Sequence, residues 1–173
     1  NYNWKFDILK NSLSKKNLKA FKYNDVSINS KKIKKNTLFV AIKGKNKDGH
    51  NYVKNALKKG AIKAVVDKKI SSIKKSAEIK VKDTFIFLNN LAKATRESSN
   101  AKFIGVTGSS GKTTLTNFLN YALSHYGKVY SSPKSFNNKY GVPLSISNIS
   151  KDTNFGIFEI GMSKKGEIEK LSK

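Results

Sequence analysis

Lys102-Phe103-Ile104-Gly105-Val106-Thr107 reads as a β-strand, and it runs without a break into Gly108-Ser109-Ser110-Gly111-Lys112-Thr113-Thr114. A helix is predicted from Thr113 to Ser124, with Leu115, Phe118, Leu119, Ala122 and Leu123 as its apolar stripe. Strand, glycine loop and helix in that order suit the capture of a phosphate chain. Gly108 and Gly111 let the backbone turn tightly and bring its N–H groups close to an anion. The helix start aims unpaired amides and the positive end of its dipole at the same place. Lys112 adds a charge that can reach the outer phosphates of ATP, and the Thr113 hydroxyl can ligate the magnesium that accompanies it. The general loop pattern asks for a glycine where this chain has Val106, but the Gly-x-x-Gly-Lys-Thr core is kept. The alternative is a glycine turn with an exposed lysine in a lysine-rich chain. The coincidence of strand, loop, Lys-Thr and helix argues against it. Thr107, Gly108, Ser109, Ser110, Gly111, Lys112, Thr113 and Thr114 are the expected ATP-binding residues.

Such a loop works with a carboxylate at the end of a neighbouring strand. Strands are predicted at Lys128–Ser131 and Phe155–Ile160, and Glu159 stands at the end of the second, just before Gly161. A carboxylate there is costly unless a cation or hydrogen bonds compensate it, so Glu159 and Thr113 are the expected magnesium ligands. A surface glutamate on an alternating strand is the plainer alternative. Residues 132–150 read mostly as loop, with a short apolar stretch at Val142–Ile146. Asn137 and Asn138 in that loop could contact substrate or simply form a turn. A last helix is predicted from near Lys165, with Glu167 and Glu169 solvated.

The front of the chain carries a second α/β pattern. Val26 and Ile28 alternate as in a short strand; Thr37–Ile42 and Ala64–Val66 are apolar and rich in β-branched residues. A helix is predicted at Asn51–Lys59, closed by Gly60. Ile79 and Val81 suggest an edge strand, and Asp83 caps a helix with Phe85, Leu88, Leu91 and Ala92 on one face, ending near Ser98. Residues 67–76 form a loop, and 1–25 offer Trp4, Phe6, Ile8 and Leu9 as core candidates without a clear element. The fold class is α/β: a small mixed α/β domain at 1–82, then the start of a parallel-sheet P-loop domain at 83–173, with the boundary somewhere between 82 and 102. Asp48-Gly49-His50 lies between a strand and a helix, where Asp48 could do no more than cap.

Composition excludes several classes. There is no cysteine, so disulfide and thiolate chemistry are out. Two histidines cannot build a histidine metal cluster, and no apolar run is long enough to span a membrane. The net charge of +24 invites a polyanion partner. Yet Arg96 is the only arginine among 35 basic residues, the lysines are scattered, and Lys, Asn and Ile make up 68 of 173 residues. That bias fits an A/T-rich coding sequence better than base-edge readout, which favours the arginine fork. A basic nucleic-acid-binding module remains the competing class, separable because its DNA binding would fall steeply with salt and ignore Lys112.

Taken together, these segments resemble the Mur ligase family. Thr107–Thr113 matches its Thr-Gly-x-x-Gly-Lys-Thr; Asn137, Asn138, Gly141, Pro143 and Leu144 match an asparagine pair followed by Gly-x-Pro-Leu. Glu159-Ile160-Gly161 and Gly166-Glu167-Ile168 stand where the family has Glu-Met-Gly and Gly-Glu-Ile, and Leu38–His50 matches Leu-Phe-x-Ala-x-x-Gly then Asp-Gly-His. The resemblance implies an ATP- and Mg2+-dependent amide ligase of peptidoglycan precursor synthesis. It would add D-alanyl-D-alanine to UDP-N-acetylmuramoyl-tripeptide through an acyl phosphate, as a cytoplasmic monomer without nucleic-acid or membrane partners. It places the UDP-sugar near Ser30, Lys31, Gly44, Asp48 and His50, and further substrate contacts at Asn137 and Asn138. Asn29-Ser30-Lys31 replaces the usual Asp-Ser-Arg, which keeps the charge but loses the two-pronged guanidinium. The family's modified lysine and carboxyl-terminal domain would lie beyond Lys173, so these 173 residues are expected to be the front part of a longer protein, inactive alone. Another muramyl-peptide ligase or a folylpolyglutamate ligase is the nearer alternative.

Overall fold

The computed structural model describes residues 3–13, 18–134, 136–161, 166, 168 and 169. Of the helix expected from Lys165, Ile168 and Glu169 are described, both helical, with Glu169 exposed; Lys165, Glu167 and Ser135 of the asparagine loop lie outside the described residues. The chain divides into two compact units, Asn1–Ala94 and Thr95–Lys173. Among the described residues no helix is long and apolar enough to cross a membrane.

In the first unit, helix α1 (Trp4–Leu13) occupies the stretch whose periodicity gave no clear element; Phe6, Ile8 and Leu9 are its buried residues. Four parallel strands follow: β1 (Asp25–Ser27), β2 (Thr37–Val40), β3 (Ala61–Val66) and β4 (Glu78–Lys80), neighbours in that order. All four residues of β2 are buried, as expected for a parallel strand covered on both faces. Phe39, Ala41, Ala61, Ala64 and Val66 form one core cluster with Val53 and Ala56 of helix α2 (Val53–Lys58). Leu38, Val40 and Val65 alternate to the other face and are fully buried too. A 3-10 turn, Gly49–Tyr52, precedes α2 where the sequence suggested one longer helix.

Helix α3 runs from Thr84 to Glu97, and the Asp83 carboxylate accepts from the amides of Phe85 and Ile86 at 2.7 and 2.8 Å. Its buried residues include Phe87, Leu88, Leu91 and Ala92, whereas Phe85, expected on the core face, is only half-buried. The compact units divide at 94/95, within α3. The Thr84 hydroxyl donates to the Ala41 carbonyl at 2.9 Å, which ties the start of α3 to the end of β2.

Among the described residues the second unit holds a three-stranded parallel sheet in the order β5 (Lys102–Val106), β7 (Phe155–Glu159), β6 (Val129–Ser131). Helix α4 is Lys112–Ser124 and helix α5 is Gly141–Ile146. The stretch around Val142–Ile146 is thus helical rather than loop, because Asn138 accepts from the amides of Tyr140 and Gly141 at 3.0 Å each and starts it. Pro143 sits within the first turn, where no N–H is needed. Of the expected stripe of α4, Leu119, Ala122 and Leu123 are half-buried. Thr116 is buried, while Leu115 and Phe118 are 48% and 66% exposed.

Candidate functional site

At the end of β5 the chain leaves the sheet through Thr107 and Gly108 and re-enters regular structure at Gly111, the residue before α4. Gly111 has φ +74°, a left-handed conformation that a side chain disfavours. Its carbonyl accepts the Leu115 amide at 2.9 Å, so the helix is closed from its first turn. The amides of that turn have no partner within the helix and face the loop mouth. The half-buried Lys112 folds over this loop and donates from Nζ to the Gly108 carbonyl at 2.6 Å. Thr113 is half-buried, and Thr107, Ser109, Ser110 and Thr114 are exposed. An ammonium beside the amides of a helix start suits a phosphate chain.

Glu159 lies directly beside this loop. The β5–β7 register pairs Val106 with Glu159, so the last residue of the loop-bearing strand and the carboxylate residue are cross-strand neighbours. Glu159 is 5% exposed. Three segments fix the strand end that carries it. The Glu159 amide donates to Ser132 Oγ at 3.1 Å, the Ile160 amide to the Val106 carbonyl at 2.8 Å, and the Gly161 amide to the Asn137 carbonyl at 2.7 Å. The structure therefore brings together the glycine loop, Glu159 and Asn137. Asn138 spends its side-chain carbonyl on the start of α5, which is the turn-forming role.

Among the described residues no group of three His, Cys, Asp or Glu side chains gathers for a metal. Among the described residues of the loop and the facing strand end, Glu159 offers a carboxylate and Thr113 a hydroxyl. That oxygen-only set fits a magnesium ion, which keeps waters and takes its other ligands from phosphate.

In the first unit, the parallel order places the segments after β1, β2 and β3 at one edge of the sheet. Ser30, Lys31, Gly44, Asp48 and His50 all belong to those segments. Lys31 is exposed, and its amide donates to Asn29 Oδ1 at 2.9 Å. The Gly44 amide closes a tight turn onto the Lys47 carbonyl at 2.9 Å. Asp48 and His50 are engaged internally. His50 is 4% exposed, with Nδ1 2.6 Å from Asp48 Oδ1, and its Nε2 accepts the Asp67 amide at 3.2 Å. Lys68 donates to Asp48 Oδ2 at 2.7 Å. Partial burial pushes the Asp48 carboxyl up, but hydrogen bonds from Lys68 and from the His50 amide and ring outweigh it and hold it well below the usual carboxylate range.

A pH dependence follows. A depressed carboxyl contributes stability above its unfolded value, about 3.9, and loses it as pH falls through the folded value. The stability gap between wild type and Asp48→Asn, from urea midpoints, should stay constant from about pH 7 to 5 and close only below about pH 4. A gap that stayed unchanged as pH fell well below about 4 would mean that the carboxyl is not depressed.

Ser132, Asp67 and Lys68 were not anticipated. A polar pair directly after the apolar run of β3 was the available signal for the last two; a lone serine after a strand gives none.

A family model described as Mur ligase family, catalytic domain, matches residues 22–117, and one described as Mur ligase middle domain matches residues 106–173. A UDP-N-acetylmuramoyl-tripeptide–D-alanyl-D-alanine ligase of Rickettsia prowazekii is 41% identical over 148 residues, covering 86% of this chain and 33% of that relative. A solved UDP-N-acetylmuramoylalanyl-D-glutamyl-2,6-diaminopimelate–D-alanyl-D-alanyl ligase from Acinetobacter baumannii superposes with a TM-score of 0.83 at 28% identity, over 97% of this chain and 38% of that one. A MurF ligase from Thermotoga maritima, solved in complex with ADP, gives 0.70 at 33% identity, over 86% and 34%. The chain spans about a third of the length of the curated relatives it matches. With more than half of its residues inside one family model and a glycine loop set beside a strand-end carboxylate, the chain belongs to the Mur ligase family.

Proposed function

We propose that the full-length protein is an ATP-dependent carbon–nitrogen ligase that joins D-alanyl-D-alanine to UDP-N-acetylmuramoyl-tripeptide during peptidoglycan precursor synthesis. The observation that carries this reading is the register of Val106 with Glu159, which sets a carboxylate beside a loop of open amides. The names of the relatives supply the substrates. A carboxylate oxygen of the tripeptide attacks the γ-phosphorus of ATP, the bond to the bridging oxygen breaks, and ADP leaves. The amine of D-alanyl-D-alanine then attacks the resulting acyl phosphate. The carbon–oxygen bond to phosphate breaks, and the amine nitrogen gives up a proton. Thr107, Gly108, Ser109, Ser110, Gly111 and Thr114 cradle the nucleotide, and Lys112 holds charge on the phosphoryl group as it transfers. Thr113 and Glu159 would hold magnesium, which when bound would draw negative charge from the phosphate oxygens. In the front unit Ser30, Lys31 and Gly44 line the UDP-sugar edge, Asp48 and His50 brace it, and Asn137 and Asn138 shape the loop beside the nucleotide. The protein works as a monomer in the cytoplasm, where ATP is supplied.

Phosphate release by the full-length protein tests the assignment. With ATP, magnesium and UDP-N-acetylmuramoyl-tripeptide, it should depend on D-alanyl-D-alanine. Turnover with a single diamino acid and a dipeptide precursor instead would move the protein to another muramyl ligase. Tight, salt-sensitive DNA binding that ignores Lys112→Ala would favour the basic-module reading.

A further inference from the structure

We infer that Ser132 is a positioning residue for Glu159, acting through the main chain of the strand that bears it. β6 and β7 pair in parallel up to Ser131 and Ile157. The ladder continues for one more bond, from the Ser132 amide to the Ile157 carbonyl at 2.9 Å. In a regular parallel ladder the next bond would run from the Glu159 amide to the Ser132 carbonyl. Here the Ser132 hydroxyl takes the place of that carbonyl, receiving the Glu159 amide at 3.1 Å.

The substitution has a local cause. Pro133 follows; its ring holds the preceding residue extended, and it has no N–H for a further rung. β6 therefore leaves the sheet at Ser132, and the chain turns into the loop that carries Asn137. A serine at the departure point lets the chain leave while β7 stays hydrogen-bonded for one more residue. That residue is Glu159. Both partners are buried, with Ser132 7% and Glu159 5% exposed, so this amide depends on a partner within the protein. On the other side β7 is held by the Val106 carbonyl, at the root of the glycine loop. Ser132 is thus the counterpart of Val106. One holds the peptide before Glu159 from β6, through the Glu159 amide, and the other holds the peptide after it from the root of the glycine loop, through the Ile160 amide; together they set the direction in which the carboxylate leaves the strand.

The inference rests on the proposed magnesium role of Glu159, and the test keeps the two apart. In the full-length protein, ADP binding is titrated by calorimetry over a range of magnesium concentrations for wild type, Ser132→Ala, Ser132→Thr, Glu159→Gln and the Ser132→Ala/Glu159→Gln double variant. Hydrogen exchange at the Glu159 amide is followed in parallel. Ser132→Ala should speed that exchange and raise the magnesium needed for half-maximal binding about tenfold, as loss of a group that orients a metal ligand does. Ser132→Thr, which keeps the oxygen, should restore both. The double variant should need no more magnesium than Glu159→Gln alone. If Glu159→Gln shifts the magnesium dependence and Ser132→Ala does not, even with lowered thermal stability, Ser132 is structural and the inference fails while the function stands. If Glu159→Gln shifts nothing, the magnesium role of Glu159 falls, and this inference with it.

Discussion

Lys112→Ala in the full-length protein is expected to lower turnover by about two to three orders of magnitude, the usual cost of removing one preorganised donor from developing phosphoryl or oxyanion charge. The fold should survive. In the structure the Lys112 ammonium makes one described hydrogen bond, to the Gly108 carbonyl, and a single such bond contributes about 1 kcal/mol net. The experiment pairs steady-state phosphate release with thermal unfolding. Lost turnover at a nearly unchanged midpoint supports the loop as the nucleotide site. Equal turnover would remove the basis for the ligase reading, and a collapsed midpoint would mean that the lysine serves the fold.

The second large effect is one of stability. A Cβ at Gly141 would meet the Phe136 Cα at 2.5 Å and its carbonyl carbon at 2.6 Å. Both are backbone atoms that cannot swing aside as the tip of a side chain can. Gly141→Ala must therefore push the asparagine loop away from α5, at an expected cost of about 3 kcal/mol, the upper part of the range for overpacking. In a unit of this size that corresponds to a fall of about 15 °C in unfolding midpoint. Because the Asn137 carbonyl holds the Gly161 amide at 2.7 Å, the shift should also weaken ADP binding. A variant as stable as wild type would show that the loop can yield without loss.

The strand, glycine loop and helix proposed as the nucleotide site were legible because their signal is local. Glycine spacing, Lys112, Thr113 and the apolar run before them are consecutive, and a strand, turn and helix can be inferred without knowing what packs where. Glu159 needed one further step, and the parallel register supplied it. Elements that depend on tertiary context were harder to see. α1 carries three buried residues in a stretch whose pattern fits helix or strand, and α5 is started by an asparagine side chain before a six-residue helix too short for a clear period. α4 has apolar residues on two sides, so the stripe drawn through Leu115 and Phe118 was a fair reading of composition; packing chose the side with Thr116. In α3, the run Phe85-Ile86-Phe87-Leu88 offers four candidates for one face, and Phe87 is the aromatic that packing buries. The front site shows the opposite limit. Asp48 and His50 were visible as polar residues after a strand, but their capture by Asp67 and Lys68 joins residues 17 and 20 positions away, which no local pattern encodes.

The strand orders also carry a consequence for synthesis. In the first sheet each new strand pairs with the one made just before it, so the ribosome can hand the strands over in usable sequence and each rung closes a short loop. The second sheet is different: β5 and β6 emerge first yet are not neighbours, and the lane between them, about 10 Å wide, is filled only when β7 arrives. The strand that fills this lane is the one bearing Glu159. A nascent chain can thus hold its first sheet paired while β5 and β6 wait for β7, with unpaired edges open to chaperones or to misassembly.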